Sequence, residues 1–306
     1  MIPLSSAVII SWKDTPITCN KEKNMVQFKL SAFADEYSPE IDKQISWLSA
    51  NGVDLLEIRG VDGTPVADIT LDKAREVKAK LDKAGIAISA VGSPAGKINI
   101  KDEFAPHLEQ FKHLCEIAHI LEAKRMRIFS FFMPEGDDPE IWFDEVVKRL
   151  SVFCDIAEKE GIILCHENEK QIYGETPERC IKLYNALGGR MKCVFDHANF
   201  IACDIEAYPF AYNTVKDALS YMHIKDANEQ KEMVVAGQGI GRIPETLARL
   251  KDDFEGDFIL TLEPHLLEFD GLKGLESEGH TSNVGNKYAN TDEAFGAALS
   301  ALKKYI

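Results

Sequence analysis

The sequence predicts an α/β protein of one domain, in which eight parallel strands close into a (β/α)8 barrel. Three observations predict it. Eight short β-rich runs recur along the 306 residues, each followed by a helical pattern. Strands that alternate with helices run parallel to their neighbours, because a parallel pair needs a crossover of a dozen or more residues. The first strand also lacks the GxGxxG turn that seats a dinucleotide in an open doubly wound sheet, and eight βα units in this length suit closure.

The first run, 27–33 (QFKLSAF), leads into SPEIDKQISWLSANG, where Ser38 reads as the N-cap, Pro39 as the first helical residue and Gly52 as the stop. The second run, 53–59 (VDLLEIR), precedes TLDKAREVKAKLDKAG, which repeats that grammar with Thr70 and Gly85. After the third run, 86–91 (IAISAV), residues 103–122 space Phe104, Leu108, Phe111, Cys115 and Ala118 along one helical face. Strands four and five are read at 125–132 (RMRIFSFF) and 162–167 (IILCHE), and TPERCIKLYNALGG follows as a capped helix with a glycine stop. The last three strands are read at 191–196 (MKCVFD), 220–225 (SYMHIK) and 257–263 (DFILTLE). Residues 1–24 precede the first periodic run and read as an appendage, which leaves 25–306 as the barrel domain. The polar stretch SEGHTSNVGNKYANT (277–291) reads as an insertion after strand eight, serving as a lid or a subunit contact.

Composition narrows the class. With 45% hydrophobic and 28% charged residues the chain has ample material for a core. A formal charge of −15 disfavours nucleic acid and anionic membrane as partners, since both attract a positive field. No segment reaches the ~18 uncharged residues that span a bilayer. The apolar SSAVIISW near the N-terminus is short and lacks a basic flank and an A-x-A pattern. Seven scattered cysteines without a CxxC pair predict neither a disulfide framework nor a structural zinc site, and they fit a reducing cytoplasm. A homo-oligomer is compatible with this composition.

In such a barrel, chemistry occurs where the C-terminal ends of the strands converge. The stretch LCHENEK ends an apolar strand in ionisable groups. Side chains alternate along a strand, so Glu167 faces with Ile163 and Cys165, Asp196 with Val194, His223 with Tyr221, and Glu263 with Ile259 and Thr261. Four potential ligands, from strands five to eight, therefore point into one mouth. Three acids crowded without a counter-charge would raise one another's pKa values, and a divalent cation removes that objection. Three carboxylates with one imidazole favour Mn2+ over Mg2+, Co2+ or Zn2+.

Weaker signals surround this series. Lys225 shares a face with His223 and reads either as a contact to a ketone oxygen, carboxylate or phosphate, or as a salt bridge with Asp226 or a nearby acid. His265 reads as a substrate contact, and Glu57 and Arg59 as inward residues that grip hydroxyls or pair with each other. His166 and His197 alternate away from the mouth and read as structural, and GQGIG (237–241) reads as a tight loop over the mouth rather than a phosphate loop.

The combination HENEKQIYGETPERC, VFDHANF, YMHIKDA, VVAGQGIGRIPE and LTLEPHL resembles the sugar-phosphate isomerase/epimerase superfamily of xylose isomerase-like TIM barrels, over roughly residues 26–306. The resemblance implies that Glu167 and Glu263 bind the metal and flank the reacting carbon, with Asp196 and His223 completing the coordination. It also implies proton transfer through an enediolate on a sugar or polyol ketone, with the two glutamates as acid and base. One position departs from the pattern. Many epimerases of this family carry a histidine three residues after the strand-six aspartate, whereas here that position is Asn199, which hydrogen-bonds a hydroxyl but cannot serve as a general acid. The alternative is a dehydratase or lyase on an inosose or 3-keto-glycoside, using the same enolate. An endonuclease-IV-like hydrolase is disfavoured by eight scattered histidines and the −15 charge, and a non-catalytic sugar-binding barrel by the retention of both glutamates.

Overall fold

In the computed structural model, which describes residues 25–269, 283, 284 and 287–306, strand β1 (Val26–Ala32) pairs with both β2 (Leu55–Ile58) and β8 (Gly256–Leu262), so the sheet has no edge. Between them run β3 (Ala87–Gly92), β4 (Arg125–Ile128), β5 (Ile163–Glu167), β6 (Met191–Asp196) and β7 (Leu219–Ile224), all parallel and each paired with its neighbours in chain order. The chain is a single closed (β/α)8 barrel, as its repeat predicts.

Helices wrap the sheet. They are α1 (Ile41–Asn51), α2 (Leu71–Ala84), α3 (Phe104–Ile120), α4 (Phe143–Lys159), α5 (Pro177–Ala186), α6 (His197–Ala202), α7 (Tyr212–Val215), α8 (Ile243–Asp253) and α9 (Thr291–Leu302). Thr70 and Thr176 cap α2 and α5 by accepting the N–H groups of Lys73 and Arg179, satisfying donors that the first helical turn leaves without partners. Gly52 and Gly85 end α1 and α2 in the left-handed region, as expected.

Two expectations need correction. The first helix starts at Ile41, not Pro39. Ser38 accepts the N–H of Glu40 within the preceding turn, and the first helical N–H, that of Ile41, is bound at 2.9 Å by Asp62 from the loop after β2. A distant carboxylate has replaced the local cap. The fourth strand ends at Ile128 rather than at 132, because residues 129–132 turn to pair with the loop at 95–98 and Phe131 takes a φ of 66°. A strand does not continue through a left-handed residue.

The main core lies between sheet and helices, where Phe111 of α3 stacks on Phe153 of α4 with ring centroids 4.2 Å apart. Inside the barrel, Ala90, Cys165, Val194 and Tyr221 form a layer against Ile259. Cys165 and Cys193 are buried, as read from their strands. No helix among the described residues is long and apolar enough to cross a membrane. The proposed appendage, 1–24, lies outside the described residues, as do 277–282, 285 and 286 of the polar insertion. The described Asn283 accepts the N–H of Met233 at 3.0 Å, which ties that insertion to the segment after β7.

That segment also explains GQGIG. Asp226, just past β7, is fully buried, and its carboxylate accepts the N–H groups of Gly237 (2.9 Å), Gly239 (3.1 Å), Gly241 (3.0 Å) and Ala227 (3.0 Å). A Cβ at Gly239 would stand 2.2 Å from Asp226 Oδ1 and 2.3 Å from the Ala227 carbonyl, so only glycine allows this approach. These amides serve an internal anion and are not offered to a phosphate. Asp226→Ala strands them and is expected to destabilise the protein by about 2–4 kcal/mol in urea unfolding. A loss below about 0.5 kcal/mol would show that water replaces the carboxylate at no cost.

Candidate metal centre

Glu167 and Asp196 are the last residues of β5 and β6, His223 is the penultimate residue of β7, and Glu263 lies one residue beyond β8. Asp196 sits directly across from His223 in the sheet register. All four side chains are buried, and one ligand atom from each lies within 4.8 Å of the others. The structure thus brings together the four residues that strand alternation selects.

His223 is the hub. Its Nδ1 lies 2.9 Å from Glu167 Oε1 and 3.1 Å from Glu263 Oε2, while its Nε2 lies 3.3 Å from both oxygens of Glu57. Glu57 also accepts the Tyr221 hydroxyl at 2.7 Å. Assigning the Nε2 proton to Glu57 leaves the Nδ1 lone pair directed at the mouth, which is how an outer carboxylate orients a metal-ligating imidazole. Glu57 is therefore placed beneath the site and not among substrate hydroxyls.

Asp196 and Glu167 are held by two asparagines. Asn168 accepts the Asp196 N–H and donates its amide to the Asp196 carbonyl, both at 2.9 Å. Asp196 in turn caps α6 by accepting the Asn199 N–H at 2.8 Å, and Asn199 donates its amide to Glu167 Oε1 (3.3 Å) and the Asn168 carbonyl (3.0 Å). Asn199, expected to meet a hydroxyl, here orients a glutamate.

The remaining expected residues also find partners in the mouth. Lys225 Nζ lies 3.0 Å from Asp196 Oδ2 and 3.6 Å from Glu263, not on Asp226, whose oxygens are taken by the glycine loop. Arg59 does not pair with Glu57. It forms a two-pronged bond to Asp35 (2.9 and 3.0 Å) and reaches Glu36 (3.3 Å) and Glu263 (3.1 Å). His265 Nε2 lies 3.3 Å from Glu36 and 3.4 Å from Glu263. Glu36, Glu263 and His265 form a second close group, and the Arg59 guanidinium pairs with both of its carboxylates. His166 and His197 point away as read, onto Ser130 (2.9 Å) and Thr246 (3.3 Å), and burial lowers their pKa values to about 4 and about 3.

Asp35, Glu36 and Arg127 are the residues the strand pattern misses. The first two follow β1 in a short 3-10 turn (Ala34–Glu36), outside any alternation. Arg127 reads as mid-strand as long as β4 is drawn to 132, but with β4 ending at Ile128 it stands at the mouth, Nη1 3.4 Å from Glu167 Oε2.

Burial by itself would raise the pKa of Glu167, yet His223 and Arg127 outweigh it and hold the carboxyl below its usual range. Lys225 and His223 likewise overcome burial to keep Glu263 well below its ordinary value. Asp196 goes the other way. Burial, aided by Glu263 and Glu167, exceeds the pull of Lys225 and pushes it up to about 7. Against burial, the surrounding carboxylates Glu167, Glu57 and Glu263 raise His223 well above the usual imidazole range. Without an ion, protons offset the crowded negative charge.

The donor set fits a divalent cation. Asp196 Oδ2 and Glu263 Oε2 are buried yet accept no hydrogen bond of usable angle, although Lys225 Nζ stands 3.0 Å from the first. Buried oxygens of this kind need a partner. Arg59 is the fixed counter-charge of the same mouth. Arg59→Met leaves Asp35, Glu36 and Glu263 without it and is expected to cost about 3–5 kcal/mol in chemical unfolding, whereas an unchanged midpoint would show that the acids re-pair locally.

Residues 45–303 match the family described as the xylose isomerase-like TIM barrel. No curated protein matches the chain. Solved structures superpose on it over most of their length. One is the probable 3-DHS dehydratase AsbF, involved in petrobactin synthesis, from Bacillus anthracis (TM-score 0.68, 12% identity, 90% of this chain and 98% of that one). Another is D-psicose 3-epimerase with D-tagatose from Clostridium cellulolyticum H10 (TM-score 0.68, 16% identity, 90% and 98%). A third is the IOLI protein with a binding zinc atom (TM-score 0.68, 19% identity, 91% and 99%). At these identities the likeness carries the fold, and the neighbours that share it include both an epimerase and a dehydratase. With its closed barrel and its match over residues 45–303, the chain belongs to the xylose isomerase-like TIM barrel family.

Proposed function

We propose that the protein is a divalent-metal-dependent isomerase or epimerase that acts on a sugar or polyol ketone, free or phosphorylated, by proton transfer through an enediolate. The observation that carries this reading is the pair of buried glutamates, Glu167 and Glu263, standing 2.9 and 3.1 Å from the same His223 nitrogen on strands from different parts of the barrel wall. Glu167, Asp196, His223 and Glu263 would hold the ion, for which Mn2+ is the first choice. When bound, such an ion supplies Lewis acidity to the adjacent oxygens of a hydroxyketone. Glu167, kept ionised by Arg127 and oriented by Asn199, serves as one proton acceptor. Glu263, oriented by Arg59, serves as the other. Which of them acts first depends on the substrate face presented. Lys225 supplies a cationic donor beside Asp196. The barrel wall beneath, closed by Tyr221 and Glu57, keeps bulk water from the reacting carbon.

The dehydratase or lyase reading is kept as the alternative because of Asn199. Its amide is committed to Glu167 and Asn168 and carries no transferable proton, so fewer titrating groups face the substrate than in an epimerase with histidine there.

Elemental analysis of the purified protein is expected to show about one divalent ion per chain, lost in Asp196→Ala and His223→Ala. Full occupancy in both variants would end the four-ligand assignment, and three equivalents of zinc would restore the endonuclease reading. Glu57→Gln should weaken metal affinity by about 10–100-fold by releasing the imidazole. Because Asp196 keeps its proton up to about pH 7, an ion must displace it. His223, raised well above the usual imidazole range, must give up a proton as well, so affinity should rise by roughly tenfold per pH unit for each proton released and should go on rising above pH 7.

Proton transfer is tested apart from metal binding by Glu167→Gln and Glu263→Gln under saturating metal. Each is expected to lose at least ~10²-fold in turnover. Deuterium wash-in from D2O should vanish in the variant lacking the base for a given substrate face and persist in the other, which fails to form product. Normal turnover in both variants would make the glutamates spectators.

A further inference from the structure

A cavity of about 160 Å³ opens beside the metal centre, with Arg59, Gly60, Gly92, Ser93, Lys97 and Arg127 among its lining residues. The charges on its wall are unequal, since the only carboxylate among the lining residues, Asp35, is already clasped by Arg59. Lys97 lies 3.3 Å from Glu169 and over the Phe129 ring. Arg127 is different. It is 4% exposed, its Nε donates no hydrogen bond, and its one carboxylate contact among the described residues is Glu167 at 3.4 Å.

A guanidinium that serves only as a counter-ion settles into a short, forked pair with its carboxylate, as Arg59 does with Asp35. Arg127 is instead held by aromatic faces, 4.5 Å above the Phe129 ring and 5.5 Å from the Phe33 ring, so its plane is set before any anion arrives. The wall opposite is kept open by Gly92, where a Cβ would stand 2.5 Å from Phe33 and 3.3 Å from Arg127 Nη2. A cation on Glu167 would also take over the charge that Arg127 now compensates. A buried Nε without an acceptor is costly unless a ligand supplies one.

We infer that Arg127 recognises a carboxylate of the substrate, and hence that the ketone processed at this centre is a sugar acid. The inference rests on the hydroxyketone reading of the metal centre and adds the anionic end of the molecule. A planar carboxylate matches the guanidinium fork and can lie across the cavity between Arg127 and Lys97 while the hydroxyketone end faces Glu167 and Glu263. Arg127 is a specificity residue here, set at the point where the metal centre opens into the cavity.

The test uses the Mn2+-loaded full chain and four probes: D-fructose, 2-keto-D-gluconate, 5-keto-D-gluconate and D-fructose 6-phosphate. Their affinities are measured by calorimetry and their deuterium wash-in from D2O by NMR. At least one keto acid should bind about 10–100-fold more tightly than D-fructose, the scale of a hydrogen-bonded charge pair. In Arg127→Met that preference should fall to about twofold or less, and Arg127→Lys should restore part of it. If Arg127→Met does not fold, the wild-type panel still decides. Equal affinity for keto acid and fructose, or no binding by any probe, overturns the inference, and so does a preference for the phosphate. A keto-acid preference with no exchange in any probe upholds Arg127 as a carboxylate site and removes the enolisation reading instead.

Discussion

Glu167, Glu263 and Glu57 lie buried within hydrogen-bonding distance of one imidazole with Asp196 on the next strand, and much of the barrel's mouth is organised to supply the positive charge these acids need. Arg59 clamps Asp35, Glu36 and Glu263 from the strand-two side, Lys225 lies against Asp196, and Arg127 approaches Glu167 from strand four. The divided response of the acids follows from their neighbours. Glu167, Glu263 and Asp196 each have a close cation, but only Glu167 and Glu263 also touch the imidazole and stay ionised, whereas Asp196, wholly buried and flanked by both glutamates, retains a proton toward neutral pH. A divalent cation held there would relieve the same repulsion that protonation now relieves.

Barrel closure makes this arrangement rigid. Each ligand stands at or near a strand end, and the strands are fixed by pairing on both sides, so the side chains cannot drift apart without breaking sheet hydrogen bonds. Beneath them the Tyr221–Glu57–His223 chain locks the imidazole from below. Beside them Asn168 and Asn199 stitch the ends of β5 and β6 together. The glycine loop around Asp226 performs a similar service one layer outward, since four amides on one carboxylate pin the segment that follows Lys225.

On the proposed reading, such a centre would suit more than one reaction class, since abstracting a proton next to a ketone is common to epimerisation, isomerisation and elimination. What separates them is the wall around the centre: which groups accept or return a proton, and which end of the substrate is gripped. In this chain the wall carries an asparagine that does not titrate and an arginine whose Nε has no acceptor. Both touch Glu167, so both shape the group at the end of β5.

The sequence by itself determined the repeat, and with it the fold, because alternating strands and capped helices leave few other ways to bury so much apolar surface. Period-two alternation also determined the inward residues of strands five to eight, and so Glu167, Asp196, His223 and Glu263. Tertiary structure decided what lay beyond that local rule. The strand-four run continues in β-rich residues to 132, but the left-handed Phe131 and the pairing of 129–132 with the 95–98 loop end it early and bring Arg127 to the mouth. Ser38 and Pro39 have the form of a helix start, yet Asp62 supplies the first bond two residues later. Glu57 and Arg59, two positions apart and read as gripping hydroxyls or pairing with each other, go to different depths of the barrel, one beneath His223 and one over Glu263. Lys225 sits next to Asp226 in sequence but pairs with Asp196 on the neighbouring strand, because the Asp226 carboxylate is filled by backbone amides. Charge pairing is long-range and is settled by which groups burial forces together, and one sequence does not record those partners.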